Sequence, residues 1–501
     1  MRLLELITDA DGVKISDEGK ASGIEITGLT SDSREVRAGY LFAAFAGTKQ
    51  DGRQFIADAL KKGAAAVLAP EGTEVPASSA VVLTDRNPRR CFAKMAAAFY
   101  GKQMGVVVAV TGTNGKSSTV NFCRQMWQSM EHAAACLGTL GIIAPGINRP
   151  GALTTPDPVT LHSEIAELEA AGVTHLAIEA SSQGLDQYRL DGVRITAAGF
   201  TNLTRDHLDY HGTMEAYLEA KLRLFREVLM EGGVAVINSD MPYFEVVRDV
   251  CEKRGIRVID FGAGARDIRL AKQKPLADGQ FIELRVFGER YDLELPLVGD
   301  FQASNALCAL GLVIAEDPDN RLLHMQSVYA LERLQSVRGR LEFAVKHANG
   351  APIYVDYAHT PDGLETMLKA LRPHTPKKLH VVFGCGGDRD RGKRPMMGGI
   401  AVRLADTVIV TDDNPRTEDA GFIRSEIMKG CINAEGTAPP SKAVEIAGRR
   451  EAIRAAIRNL GPDDVLVIAG KGHEQGQIVG KEVLPFDDVS EARAAVLEVS
   501  K

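Results

Sequence analysis

The stretch Val106-Val107-Val108-Ala109-Val110-Thr111-Gly112-Thr113-Asn114-Gly115-Lys116-Ser117-Ser118 decides the fold. A continuous apolar strand runs into a turn of glycine and small polar residues, and Lys-Ser opens a helix. Glycines let the backbone approach an anion, N–H groups at the helix start face it, and Lys116 adds positive charge. Ser117 is placed to hold Mg²⁺. The pattern G-x-x-x-x-G-K-[ST] is met except at its first glycine, where Val110 stands. A loop of this kind after a strand predicts nucleotide-phosphate binding, and the alternative is a purely structural glycine turn.

At 501 residues the chain is too long for one core, and two to four domains are expected. The net charge of −7 argues against a general nucleic-acid binder, which would carry a basic face. Small anionic ligands need only a local pocket. The first residues lack the apolar core of a signal peptide, and no apolar run is long enough to span a membrane. Cys91, Cys123, Cys136, Cys251, Cys308, Cys385 and Cys431 are scattered and form no C-x-x-C pair. They read as reduced thiols of a cytoplasmic protein. Only Cys385, in a glycine-rich turn, invites a closer look.

Three blocks are expected, over residues 1–101, 102–337 and 338–501. In the first, short strands at 40–45 and 64–69 alternate with helices, one over 88–100 with proline at its start and Gly101 after its end. In the second and third, strands apolar nearly throughout end in polar residues. That suits α/β domains with parallel sheets covered on both faces and ligands at the carboxyl ends of the strands.

Glu179 closes such a strand ahead of Ala180-Ser181-Ser182. A strand-end carboxylate in a phosphate-loop domain suits Mg²⁺, whereas elsewhere it would be a solvated acid. Residues 201–212 pack Asn202, Asp206, His207, Asp209 and His211 into one loop, compatible with a metal or with a structural turn. Lys221 shares a helical face with Tyr217, Ala220, Leu224 and Phe225. An ammonium there must snorkel, pair with an acid or lose its charge, and the pattern alone favours snorkelling. A neutral amine could instead take up CO₂ as a carbamate, an oxygen ligand for Mg²⁺. Residues 384–395, 411–416 and 470–474 end three strands with glycine and dense charge. They should converge on one sheet edge and meet a charged ligand.

Together, Thr111-Gly112-Thr113-Asn114-Gly115-Lys116, Glu179-Ala180-Ser181-Ser182, Asp206-His207-Leu208-Asp209, Lys221, Asp356-Tyr357-Ala358-His359-Thr360-Pro361 and Asp413-Asn414-Pro415-Arg416 resemble the Mur ligase family in order and spacing. In that family Val110 is ordinary rather than a defect. The resemblance implies an ATP-dependent amide ligase with a central P-loop-type parallel-sheet domain. An N-terminal UDP-binding α/β domain and a C-terminal Rossmann-like domain would flank it. The UDP-sugar of UDP-MurNAc-L-Ala-D-Glu would meet Ser31, Ser33, Thr48, Lys49 and Gln50, and its muramoyl-dipeptide Thr154, Thr155, Ser181, Gln187, Arg189 and Lys221. ATP would contact Gly112, Thr113, Asn114, Gly115, Lys116, Ser117, Ser118, Asn305, Arg340 and Asp356.

Lys116, Glu179, His207 and Lys221 would carry the chemistry, and Ser117, Glu179, His207 and Lys221 would hold Mg²⁺. Family members carry a carbamylated lysine (N6-carboxylysine) at the place of Lys221, which reverses the reading from the pattern alone. Members with Asp-Asn-Pro-Arg are associated with meso-diaminopimelate, here expected on Arg389, Asp413, Asn414, Pro415, Arg416, Gly470 and Glu474. Its distal carboxylate would be clamped by the arginines and its ammonium taken by Glu474; lysine has no such carboxylate. A monomer with no nucleic-acid partner is expected. Two alternatives stay open. A folylpolyglutamate synthetase shares the ATPase core but is not expected to carry residues 413–416 or this N-terminal block. A P-loop switch would hydrolyse ATP without an amino-acid acceptor.

Overall fold

Runs of valine, alanine and isoleucine bounded by glycine and polar residues form buried strands because both sheet faces are covered. The computed structural model describes residues 1–8, 12–47, 50–434 and 443–499. Its first sheet has the order β1-β5-β4-β3-β2, from β1 (Lys14–Ile15), β2 (Gly28–Thr30), β3 (Tyr40–Ala43), β4 (Ala66–Pro70) and β5 (Val81–Asp85). β2 to β5 are parallel, and β1 joins β5 antiparallel. The helix Pro88–Tyr100 begins and ends as expected. Asn87 caps it by accepting from the Arg90 N–H, and Gly101, at φ 63°, closes it in the left-handed region.

A second sheet is built on the opening motif. It comprises β6 (Val106–Thr111), β7 (Ala134–Gly138), β8 (Gly141–Ala144), β9 (Ile147–Arg149), β10 (His175–Glu179), β11 (Ile195–Phe200), β12 (Leu229–Asn238) and β13 (Arg257–Gly262). These run in the order β13-β12-β11-β6-β10-β7-β8-β9. β13 through β7 are parallel, and β8 and β9 fold back antiparallel through Gly141 and Gly146, both at positive φ. That edge adds two antiparallel strands to the parallel sheet expected.

The chain forms two compact units, Met1–Ile268 with Leu307–Ser327 and Arg269–Ala306 with Val328–Lys501. Three strands follow β13: β14 (Ile268–Leu276), β15 (Gly279–Val286) and β16 (Glu289–Leu295), with β15 and β16 an antiparallel hairpin. The second unit also holds β17 (Glu342–Lys346), β18 (Pro352–Asp356), β19 (Leu379–Phe383), β20 (Thr407–Val410), β21 (Ala443–Glu445) and β22 (Val465–Ala469). Their order is β17-β18-β22-β19-β20-β21, parallel except for β17. β23 (Gly476–Val479) and β24 (Glu482–Pro485) form a separate hairpin. Among the described residues no helix is long and apolar enough to cross a membrane.

The helix Pro158–Ala170 buries His162 completely. Burial holds its imidazole down to about 4, against 6.5 in the unfolded chain. Between these values the unfolded chain binds the proton and the native state does not, so stability falls as pH drops through that window. The loss is about 1.4 kcal/mol per pH unit and approaches ~3 kcal/mol below it. His162→Met should remove this part of the acid sensitivity. Urea unfolding of both proteins from neutral to mildly acid pH measures it, and equal slopes would contradict it.

Candidate active site

The phosphate loop is tight because β6 is paired on both sides. Val110 lies opposite Glu179 of β10 and Gly199 of β11, so the strand continues to Thr111 and the turn is confined to Gly112–Gly115. A β-strand residue fills the place of the missing glycine. Gly112, at φ 140°, is required in the turn: a Cβ there would lie 2.0 Å from Thr201 Oγ1. Lys116 Nζ donates to the carbonyls of Gly112 and Thr113 at 2.9 and 2.8 Å. Ser117 and Ser118 are buried at the head of the helix Lys116–Ser129. The loop after β11 braces the turn. Thr113 N–H donates to Asn202 O at 2.9 Å, Asn114 N–H to Asn202 Oδ1 at 2.9 Å, and Thr201 Oγ1 to Asn114 O at 2.7 Å.

Lys221 does not snorkel, which corrects the reading of its helical pattern. Its side chain is 1% exposed, and Nζ donates to Gly112 O at 2.8 Å and lies 4.4 Å from the Tyr217 ring centre. Burial, reinforced by Lys116, holds the amine well below the ordinary lysine range, with Asp206 opposing. Burial also pushes the Tyr217 phenol up to about 12. The Tyr217 ring is 6.2 Å from that of His207, which has φ 52° and whose Nε2 is 3.6 Å from Asp206 Oδ2. Left-handed backbone at a non-glycine residue is strained and concentrates at functional sites.

Glu179 is buried at the end of β10 and accepts from Thr139 N–H at 2.8 Å and Thr139 Oγ1 at 3.2 Å. Its carboxylate needs Gly138 beside it, since a Cβ there would fall 2.1 Å from Oε1. Among the described residues no group of three or more His, Cys, Asp or Glu side chains is assembled for a metal ion.

Of the residues expected around the muramoyl-dipeptide, all but Lys221 form one hydrogen-bonded cluster. Thr155 Oγ1 donates to Glu179 O at 2.7 Å and lies 3.0 Å from Ser181 Oγ, and Thr154 Oγ1 is 3.0 Å from Thr139 Oγ1. Arg189 Nη1 donates to Thr155 O and Nη2 to Gln187 Oε1, both at 2.7 Å. Gln187 Nε2 in turn donates to Tyr210 Oη at 3.0 Å, and Tyr210 to Asp186 at 2.8 Å. Burial lowers the pKa of Arg89, on the helix Pro88–Tyr100, with Tyr210 and Asp186 opposing, and its Nη2 donates to Ala46 O at 2.5 Å. Ser31 and Ser33 follow β2 and Gln50 is exposed; Thr48 and Lys49 lie outside the described residues.

In the second unit, adjacency of β22, β19 and β20 brings the three charged strand-end loops to one edge. Arg416, at φ 52°, is clasped by the β23–β24 hairpin: its N–H donates to Ile478 O at 3.0 Å and its carbonyl accepts from Gly480 N–H at 2.7 Å. Its Nη1 donates to Gly387 O at 2.8 Å, in the loop that carries Arg389. Asp388, also at positive φ, accepts from Thr417 N–H and Oγ1 at 3.2 and 2.7 Å. Buried Arg394 pairs with Glu418 and Glu426 and holds the Glu418 carboxyl down to about 2. Gly387 passes so close that a Cβ would meet Pro415 O at 1.9 Å, and one on Gly470 would lie 2.8 Å from Asp413 Oδ2.

Asn305, Arg340 and Asp356 also lie in this unit. Asn305 Nδ2 donates to Gln302 Oε1 at 3.1 Å, and Gln302 Nε2 to Arg340 O at 3.0 Å. Asp356 accepts from Leu341 and Ala358 N–H at 2.7 and 2.8 Å; burial raises its carboxyl and Arg340 opposes this. Cys385 is buried with its thiol pushed up to about 12, so it is inert, and the other cysteines are buried and form no disulfide.

Beneath these loops Arg449 and Asp488 form a completely buried pair at 2.7 Å, and Arg449 Nη2 donates to Ala469 O at 2.9 Å, next to Gly470. Arg449→Met strands a buried carboxylate and should cost about 3–5 kcal/mol of stability, while Arg449→Met with Asp488→Leu should recover most of it. Urea unfolding of the single and double variants checks this.

Three family descriptions match the chain: "Mur ligase family, catalytic domain" over residues 25–100, "Mur ligase middle domain" over 110–313, and "Mur ligase, glutamate ligase domain" over 339–472. The UDP-N-acetylmuramoyl-L-alanyl-D-glutamate--2,6-diaminopimelate ligase of Zymomonas mobilis subsp. mobilis is 51% identical over 482 residues, 95% of this chain and 96% of that protein. A solved structure of a ligase with the same description superposes with a TM-score of 0.71 at 34% identity, covering 95% of this chain and 96% of that one. The Thermotoga maritima MurF ligase, solved in complex with ADP, shares the fold at a TM-score of 0.57 and 19% identity, over 94% and 96% of the two chains.

Proposed function

The chain belongs to the Mur ligase family, and we propose that it adds meso-2,6-diaminopimelate to UDP-N-acetylmuramoyl-L-alanyl-D-glutamate with consumption of ATP. The observation that carries the choice of amino acid is Arg416, fixed at positive φ by a hairpin and bonded to the loop of Arg389. Two guanidinium groups at one strand-end edge suit the distal carboxylate of diaminopimelate, and Glu474 suits its ammonium.

In the reaction the D-glutamyl γ-carboxylate attacks the γ-phosphorus of ATP, forming an acyl phosphate and releasing ADP. The amine of diaminopimelate, having lost a proton, attacks the acyl carbon; the amide forms and phosphate leaves. The N–H groups at the head of the helix Lys116–Ser129 and the Lys116 ammonium stabilise charge on the transferring group. Thr154, Thr155, Ser181, Gln187 and Arg189 hold the dipeptide, and Ser31, Ser33, Thr48, Lys49 and Gln50 its UDP-sugar. Asn305, Arg340 and Asp356 are assigned to ATP from the family motifs. A buried amine with a depressed pKa is suited to take up CO₂, and with Ser117, Glu179 and His207 the resulting carbamate of Lys221 makes an oxygen-rich donor set that fits Mg²⁺. Mg²⁺ held there would offset charge on the phosphoryl group.

ADP release by the purified protein with UDP-MurNAc-L-Ala-D-Glu tests the reading. Turnover is expected with meso-diaminopimelate and not with L-lysine or L-glutamate. ATP turnover without any amino acid would instead fit a P-loop switch.

A further inference from the structure

Lys471, in the charged loop 470–474 that follows β22, is a cation buried beside the residues expected to meet the amino acid. Its side chain is 0% exposed. Nζ donates to Asn414 Oδ1 and to Glu474 Oε2, each at 2.9 Å. An ammonium is held in such a place only when paired and hydrogen-bonded, and here both partners belong to the site itself.

These two bonds fix the groups they reach. Asn414 Oδ1 accepts from Lys471 and from Ile478 N–H at 2.9 Å, so its amide nitrogen must face the other way. There Nδ2 donates to Glu474 Oε2 at 2.8 Å. Both side-chain donors to Glu474 therefore fall on one oxygen, and the carboxylate, one-third exposed, is left with Oε1 for a ligand. The loop that carries them is tightly seated. Gly470 and Gly472 sit at φ 112° and 54°, and a Cβ on Gly472 would lie 2.7 Å from Tyr357 Cβ. Tyr357 packs on this loop, with its ring 4.9 Å from that of His473 and 5.0 Å from the Arg340 guanidinium.

We propose that Lys471 is a specificity-determining positioning residue that orients Asn414 and Glu474 to receive an ammonium group of the incoming amino acid. This rests on the proposed ligase function. Lys471 balances the charge of Glu474, so the cations left over at the edge, Arg389 and Arg416, call for a carboxylate on the same ligand. A zwitterionic amino-acid centre satisfies both halves. Without Lys471 the Asn414 amide is free to turn, and the Glu474 carboxylate is free to swing toward the arginines and away from the ligand.

Steady-state kinetics of Lys471→Met and Lys471→Gln with UDP-MurNAc-L-Ala-D-Glu, ATP and meso-diaminopimelate test it. The KM for diaminopimelate should rise about tenfold or more, with the KM values for ATP and the UDP-dipeptide within about twofold of wild type. Acyl-phosphate formation, trapped with hydroxylamine in the absence of diaminopimelate, should proceed as in wild type. Gln can still donate to Asn414 and should lie between Met and wild type, and it carries the test alone if the Met variant does not fold. A residue that merely staples the loop would lower the melting temperature and leave the KM for diaminopimelate within about twofold, and that result would overturn the proposal. Wild-type protein that does not use diaminopimelate overturns the proposed function instead.

Discussion

Lys221→Ala is expected to lose ligase turnover by ~10³-fold or more, about 4 kcal/mol of barrier, while the protein remains folded. The side chain lies wholly inside the fold, with Nζ on the same Gly112 carbonyl that Lys116 engages. Truncation leaves a cavity and removes the bond to Gly112 O, but it also relieves the cost of burying an amine whose charged form burial disfavours, and a melting curve checks that the fold remains. The lost activity would therefore be chemical. Lys221→Arg separates two explanations: arginine stays charged and cannot form a carbamate, so it should be as inactive as alanine. Added bicarbonate should raise wild-type turnover and leave both variants unchanged. Full activity in Lys221→Ala would remove this residue from the mechanism.

Arg416→Ala should lower kcat/KM for meso-diaminopimelate by about 10²–10³-fold, the usual cost of taking one partner from a desolvated charge pair. The backbone at 416 is held by Ile478 and Gly480, so the loop should keep its shape when the side chain is cut back. The KM for ATP should stay within about twofold. Discrimination against L-lysine should narrow, since lysine has no distal carboxylate to lose. Parallel kcat/KM measurements with the two amino acids check this, and an unchanged ratio would contradict the role of Arg416.

Where periodicity and turn chemistry act locally, the sequence was enough. β10, β19 and β22 are buried at every residue, which is why each stands out as an apolar run. The helix Pro88–Tyr100 follows its own proline, asparagine and glycine signals. Residues 268–295 carry a signal that the motif pattern does not include: alternating apolar and charged residues broken by Asp278-Gly279 and Phe287-Gly288, the pattern of β-hairpins. Lys221 shows where pattern fails. An apolar stripe cannot say whether an amine reaches solvent, because that depends on the phosphate loop, more than a hundred residues earlier, covering it.

What the bracing groups hold is hidden for the same reason. Asn202, Thr139, Tyr210 and Lys471 act through contacts with residues distant in sequence or through one particular rotamer. Val110, which looked like a flaw in the phosphate loop, is explained by pairing on both sides of β6.

The most direct test of the account offers the enzyme ATP, UDP-MurNAc-L-Ala-D-Glu and equal amounts of meso-diaminopimelate and L-lysine, and weighs the UDP-linked product by mass spectrometry. A single product heavier by one diaminopimelate residue is expected, formed together with ADP and phosphate. A lysine adduct as the main product, or ADP formed with no new UDP-linked product, would contradict it.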